Sequence, residues 1–246
     1  MASKQIHVGV IGCGRMAQAH VSAINATRGV VVAALCDRDG DRREQMRSEL
    51  TPAAATFARL DTMLRSDLDA VIVCTPNHLH CSMTLKALKA GMHVLCEKPL
   101  AGNVADATRM VLAARRARRI LHVNQSLRYS AEYQTLAALV HSGRIGEPIG
   151  VRCIRAGGNT PDKGWSPGAT WFVSKRSHGG IINDIAVHQA DLMSWLCGEV
   201  RSVAATVDVR TPGIDAPDHV NALFRFAGGA RQSECILSVT KPMESQ

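Results

Sequence analysis

Apolar runs alternate with amphipathic stretches along the first half of the chain. The runs IHVGVIG (6–12), VVVAALCD (30–37), AVIVCT (70–75), HVLCE (93–97) and ILHVN (120–124) are continuous in hydrophobicity. Continuous runs of this length predict strands buried on both faces. A weaker strand falls near Ala55–Phe57. The intervening MAQAHVSAINA, RREQMRSEL, CSMTLKALKA and VADATRMVLAARRA predict helices. Strand–helix alternation with right-handed crossovers gives a doubly wound parallel sheet with helices on both faces. The pattern changes after about residue 147. EPIGVRCIRAGG predicts a strand that leads into a polar loop containing Gly and Trp (157–172). GGIINDIAVHQADLMSWLCG predicts one long helix ending at Gly198. VRSVAATVDVR, DHVNALFRFAGG and ARQSECILSV predict strands, with AGGA (227–230) as a hairpin turn. The expected fold class is therefore α/β. A parallel sheet occupies 1–125, and an α+β domain with a mostly antiparallel open sheet occupies 126–246.

Composition changes this picture little. Hydrophobic residues make up 46% and charged residues 20% of 246, which is an ordinary globular balance. No apolar run is long enough to span a membrane, and the N-terminus runs into the first strand without a signal-peptide pattern. The eight cysteines include no C-x-x-C and sit mostly inside apolar runs. They read as free thiols packed as small hydrophobes, which fits a cytoplasmic location. No Cys/His set has metal-ligand spacing, so no metal is expected. Net charge is +8, from 29 Lys and Arg against 21 Asp and Glu. The densest basic cluster, RRARR at 115–119, ends a predicted helix, where cations favour the negative terminus. Aromatic side chains for base stacking are few. Nucleic acid is therefore not an expected partner, and the excess charge suits a phosphate-bearing cofactor or an anionic substrate.

Candidate chemistry begins at VIGCGRMAQAH. Gly12-x-Gly14-x-x-Ala17 follows the first strand and opens the first helix. Gly12 permits a tight turn, Gly14 lets a pyrophosphate approach the backbone, and Ala17 lets the helix pack on the sheet. Arg15 and Met16 stand at the helix start, which faces the phosphates. Asp37 closes the second run, 23 residues after Gly14, where a carboxylate takes the ribose hydroxyls. Asp37 points to NAD. The neighbouring Arg38 would welcome a 2′-phosphate and keeps NADP as the alternative, unless it is a solvated turn residue. Thr75, Pro76 and Asn77 end the fourth run at the carboxyl edge of the sheet, where ligands bind, with His80 just beyond. His78 and His80 also read as ordinary loop or cap residues.

VLCEKPLAGN (94–103) then places Glu97, Lys98 and Pro99 at that same edge. With VGVIGCGRMAQAH, CTPNHLH and HGGIINDIAVHQADLMSWLCGE, it resembles the glucose–fructose oxidoreductase / inositol dehydrogenase / rhizopine catabolism (Gfo/Idh/MocA) family over about residues 6 to 200. The resemblance implies a Rossmann domain followed by a substrate and dimerisation domain. It implies hydride transfer between a nicotinamide and a secondary alcohol of a sugar, inositol, other polyol or cyclic dihydrodiol. It assigns Lys98, His188 and Asp184 as catalytic, His188 taking the hydroxyl proton and Asp184, at i−4 on the same helix face, also touching substrate. Glu97 and Lys98 also border the cofactor, and the Lys98–Pro99 bond is open to a cis geometry. Asn124, Arg128 and Trp165 join the substrate list. Arg128 reads equally as an anchor between domains, and Trp165, like Trp171, equally as core. Gly179 and Gly180 permit a close backbone where the helix begins.

Relative to that family, the chain stops just after a strand, at LSVTKPMESQ, which implies a shortened carboxyl-terminal sheet. Homo-oligomers are expected where the remaining sheet suffices. Two further readings use the same residues: an NAD(P)-binding sensor or inactive relative, and chemistry through a tightly held NAD such as glycoside cleavage or aldose–ketose coupling.

Overall fold

A computed structural model of the protein describes residues 5–157, 169–227 and 233–239. The chain divides into two compact units, Met1–Asn124 and Gln125–Gln246.

In the first unit six strands form one parallel sheet: β1 (Ile6–Ile11), β2 (Val30–Cys36), β3 (Ala55–Phe57), β4 (Ala70–Val73), β5 (His93–Glu97) and β6 (Leu121–Asn124). Their order is β3-β2-β1-β4-β5-β6, so the winding direction reverses between β1 and β4. That reversal opens a crevice at the carboxyl ends of the two strands. Helices α1 (Arg15–Asn25), α2 (Gly40–Leu50), α3 (Leu60–Met63), α4 (His80–Lys89) and α5 (Val104–Ala117) connect them.

The continuous apolar runs have a direct cause. Val71 and Val73 of β4 enter one buried cluster with Met63, Leu88 and Met110. Ile72 between them enters the opposite cluster with Val8, Val10, Val21, Leu35 and Met46. Both faces are core, so no position on the strand is free to be polar. Asp39 caps α2, its side chain accepting from the Asp41 and Arg42 amides, and Asn103 caps α5 by accepting from Asp106 N.

The second unit contains α6 (Ala131–His141), which the hydropathy pattern does not predict, and α7 (Val187–Cys197). The long helix expected to end at Gly198 is present, but its first part, Ile182–Ala186, is a π-helical turn. Strands β7 (Arg152–Gly157), β8 (Val200–Asp208), β9 (His219–Phe226) and β10 (Ser233–Val239) form a second sheet in the order β7-β10-β9-β8. β8–β9 and β9–β10 pair antiparallel, as expected of hairpins, whereas β10 pairs parallel with β7. The turn expected at AGGA lies mostly outside the described residues. One face of this sheet packs its Val220 and Phe226 with Ile181 and Met193 of the long helix. Among the described residues, no helix is long and apolar enough to cross a membrane.

Candidate active site

The carboxyl edge of the first sheet gathers the dinucleotide motif. Gly12 has φ +92°, and a Cβ there would lie 2.8 Å from the Cys74 carbonyl oxygen, so only glycine fits where β1 passes the end of β4. Its amide donates to Cys36 O at 2.7 Å. Gly14 is the N-cap of α1, and no side chain caps that terminus. A Cβ on Gly14 would meet nothing within 4 Å, so there is open space at the residue that precedes the first-turn amides. Those amides and the helix dipole suit an anion.

Asp37 stands at the end of β2 with both carboxylate oxygens engaged. Oδ2 accepts from Cys13 N at 2.8 Å and Oδ1 from Asp39 N at 3.0 Å. The ribose-binding candidate is thereby fastened to the glycine turn itself. Arg38 is exposed beside it, as are Arg15 and His78, whereas Asn77 is buried. Thr75 Oγ1 is buried and makes no hydrogen bond with the described residues. An orphaned hydroxyl at the crevice, an uncapped helix start and room before Gly14 together fit a dinucleotide. Gly12, Gly14, Asp37 and Thr75 are the residues that would hold NAD, with Arg15, Met16, Pro76 and Asn77 alongside in sequence.

His80 departs from the expected cofactor role. Its ring is 1% exposed, with Nδ1 at 2.7 Å from Pro99 O and Nε2 at 2.8 Å from Thr75 O. Burial lowers its pKa against the opposing pull of these two carbonyls. Both nitrogens face protein carbonyl oxygens, so His80 braces the crevice wall.

Glu97, Lys98 and Pro99 leave β5 at the same edge, and the Lys98–Pro99 peptide is cis. Glu97 is 5% exposed. Its Oε1 accepts from His20 Nε2 and from Asn124 Nδ2, each at 2.7 Å, and its Oε2 accepts from the Lys98 amide at 3.2 Å. Burial alone would raise the Glu97 pKa. Hydrogen bonds from His20 and Asn124, with the charges of His20 and Lys98, outweigh it and hold the carboxyl below its ordinary value. Glu97 and Asn124, expected beside cofactor and substrate, thus spend these contacts on each other. His20 is the functional candidate that sequence reasoning missed. Its signal was available: it lies on the inner stripe of α1 with Ala17, Val21 and Ile24, where a polar residue needs a partner.

The cysteines of this unit are free thiols. Burial pushes the Cys13 and Cys96 thiols up to about 12 and Cys36 to about 11. Among the described residues, no group of His, Cys, Asp and Glu is arranged to hold a metal ion.

In the second unit Asp184 lies within the π turn and is 6% exposed, and His188 follows in the first turn of α7, half-buried. π turns interrupt helices most often at functional positions. Gly179 explains how this helix starts. A Cβ there would come within 2.3 Å of the Phe172 carbonyl oxygen. Gly180 N donates to that same oxygen at 2.7 Å, so the preceding segment is drawn tightly against the helix start. Arg128 is committed within its own unit. Its Nε and Nη2 bind the two Asp191 carboxylate oxygens at 2.7 and 2.8 Å, and its guanidinium lies 5.2 Å from the Trp195 ring centroid. That pairing ties the turn at Ser126–Tyr129 to α7. Trp171 packs edge-on against Phe172. Trp165, with Lys163, lies outside the described residues.

Comparison with known proteins agrees with this geometry. Residues 6–125 match a family model described as an oxidoreductase family with an NAD-binding Rossmann fold, and residues 133–240 match the GFO/IDH/MocA C-terminal domain. The chain is 35% identical over 227 residues to a 1,5-anhydro-D-fructose reductase of Ensifer adhaerens, covering 90% of this chain and 66% of that protein. It is 32% identical over 234 residues to an inositol 2-dehydrogenase of Streptomyces avermitilis, covering 93% and 64%. The chain thus spans about two thirds or less of the length of these relatives. A crystal structure of the WlbA dehydrogenase from Bordetella pertussis with NADH and UDP-GlcNAcA superposes with a TM-score of 0.90 at 27% identity, covering 98% of this chain and 69% of that one. With both family models matched in order along its length, this chain belongs to the Gfo/Idh/MocA oxidoreductase family.

Proposed function

We propose that this chain acts as an NAD-dependent dehydrogenase on a secondary alcohol of a sugar, inositol or related cyclic polyol. The carrying observation is that Lys98 leaves β5 at the same sheet edge as the glycine turn and Asp37, from a peptide held by a buried carboxylate. Relatives named for an anhydro-sugar and for inositol support the substrate class.

Bound NAD supplies the acceptor for the hydride. The chain's own residues manage the proton and the charge. The Lys98 ammonium donates to the substrate hydroxyl and favours its alkoxide as the C–H bond breaks. His188 takes the hydroxyl proton, a role suited to an imidazole near neutral pH. Asp184 orients substrate from the π turn. Asp37, already fixed by the Cys13 amide, favours NAD over NADP because a carboxylate repels a 2′-phosphate. The open face of the second sheet exposes Ile154 and Leu223 at 62% and 38%, which supports association with a second copy.

The test is a polyol, sugar and dihydrodiol panel with NAD and NADP, read by absorbance of the reduced nicotinamide. Lys98→Ala and His188→Ala are each expected to lower turnover by at least ~100-fold. Wild-type rates in both variants overturn the mechanism. Asp37→Ala is expected to weaken NAD more than NADP, and equal weakening overturns the cofactor preference.

A further inference from the structure

Lys98 projects from a backbone that is gripped on both sides. On its carboxyl side, Pro99 O lies 2.7 Å from His80 Nδ1. On its amino side, the Lys98 amide donates to Glu97 Oε2, and the other oxygen of that carboxylate is set by His20 and Asn124. The Glu97 and His20 side chains are only 6% and 14% exposed, so water cannot readily replace these bonds. A carboxylate only accepts, so His20 presents Nε2–H to it. Donors from two elements, α1 and the end of β6, converge on Oε1, while the Lys98 amide meets Oε2. α1 is also the helix whose start faces the open space before Gly14.

We propose that His20 is a positioning residue for Lys98: it holds the buried Glu97 carboxylate, that carboxylate holds the Lys98 amide, and α1 thereby sets where the ammonium stands. This deepens the function proposed above and rests on it for its catalytic consequence. It links the helix that receives the dinucleotide to the cation that serves the substrate through the Glu97 carboxylate. Mispositioning of a reacting group by about 1 Å commonly costs on the order of a hundredfold in rate, so a link of this kind has a measurable consequence.

The experiment compares His20→Leu with His20→Gln, whose amide offers a donor in place of Nε2–H. In wild type and both variants, Lys98 is acetylated with acetic anhydride and its rate followed by peptide mass spectrometry, with Lys86 and Lys89 as internal references. NAD affinity is titrated by fluorescence and kcat measured on the best panel substrate. His20→Leu is expected to change the Lys98 labelling rate by about threefold or more and to lower kcat by about tenfold or more. Its NAD dissociation constant should stay within about threefold of wild type, because the donor it loses faces Glu97 and not the glycine turn. His20→Gln is expected to restore labelling and kcat to within about threefold. Unchanged labelling and kcat in His20→Leu overturn the proposal. So does a loss of NAD affinity that His20→Gln fails to repair, since His20 would then merely support α1. His20→Met replaces His20→Leu if the latter does not fold. Lys98→Ala serves as the control on the underlying reading: undiminished turnover there overturns the catalytic assignment, while the labelling result still decides the strut.

Discussion

β4 in the first unit and β8 in the second show two ways of using a strand. β4 sends Val71 and Val73 into one buried cluster and Ile72 into the other, with helices closing both faces. β8 is exposed along nearly its whole length, at the edge of a sheet whose described core is confined to one face. A sheet covered on both faces can offer chemistry only at its ends, where strands stop and turns begin. The first unit accordingly places Gly12, Asp37, Thr75 and Lys98 at the carboxyl edge, held largely by main-chain hydrogen bonds. A half-covered sheet leaves its helix to carry the polar groups, and the second unit sets Asp184 and His188 on one. That helix is opened by a π turn and braced through Arg128 and Asp191.

The sharpest way to break this comparison is at the glycines. Gly12→Ala would force both a positive φ and a 2.8 Å approach to Cys74 O. It should destabilise the protein by about 2 kcal/mol or more and abolish measurable NAD binding. Gly179→Ala, which drives a Cβ to 2.3 Å from Phe172 O, should destabilise at least as much while leaving NAD affinity within about threefold. Chemical denaturation with NAD titration reads both. Equal loss of affinity in the two variants would show that the crest of the first unit does not bind the cofactor on its own terms.

A smaller effect comes from Glu97. Its folded-state pKa lies below the ordinary carboxyl value, so the unfolded chain takes up the proton first as pH falls. The stabilisation is complete above the unfolded carboxyl pKa of about 4.3 and is lost as pH drops through the lower folded value. Melting temperature should therefore fall on the acid side of this window, and Glu97→Gln should remove part of that slope. A Glu97→Gln variant with the same acid limb as wild type would mean the carboxylate gains nothing from His20 and Asn124. The least effect is expected in Arg128→Ala. The pair is bidentate, but the Arg128 side chain is 38% exposed and screened, so about 1 kcal/mol is at stake. Turnover should change less than threefold; a hundredfold loss would return Arg128 to the substrate.

The sequence announced the first unit clearly because its signals are local. Most strands of the parallel sheet are continuous apolar runs, and the turns after β1, β2, β4 and β5 carry glycine, proline or a carboxylate. The second unit was less legible. α6 escaped notice because its one buried residue, Ala137, leaves a weak apolar stripe. The parallel β7–β10 pairing joins segments too distant for hairpin logic. The π turn leaves no mark on a pattern that reads as helix throughout.

Side-chain commitments were the least visible. His80 and Arg128 have the residue types of ligand contacts, yet the His80 ring nitrogens face Thr75 O and Pro99 O, and Arg128 Nε and Nη2 bind Asp191. His20 looks like a stray polar residue until Glu97 is found 2.7 Å away. The amino-acid order by itself fixed which residues stand where strands end, because hydrophobic period and turn chemistry act over a few positions. Which of those residues grip one another was settled only by tertiary packing, since a buried donor takes whatever acceptor the fold brings within reach, and here that partner lies 77 residues further along the chain.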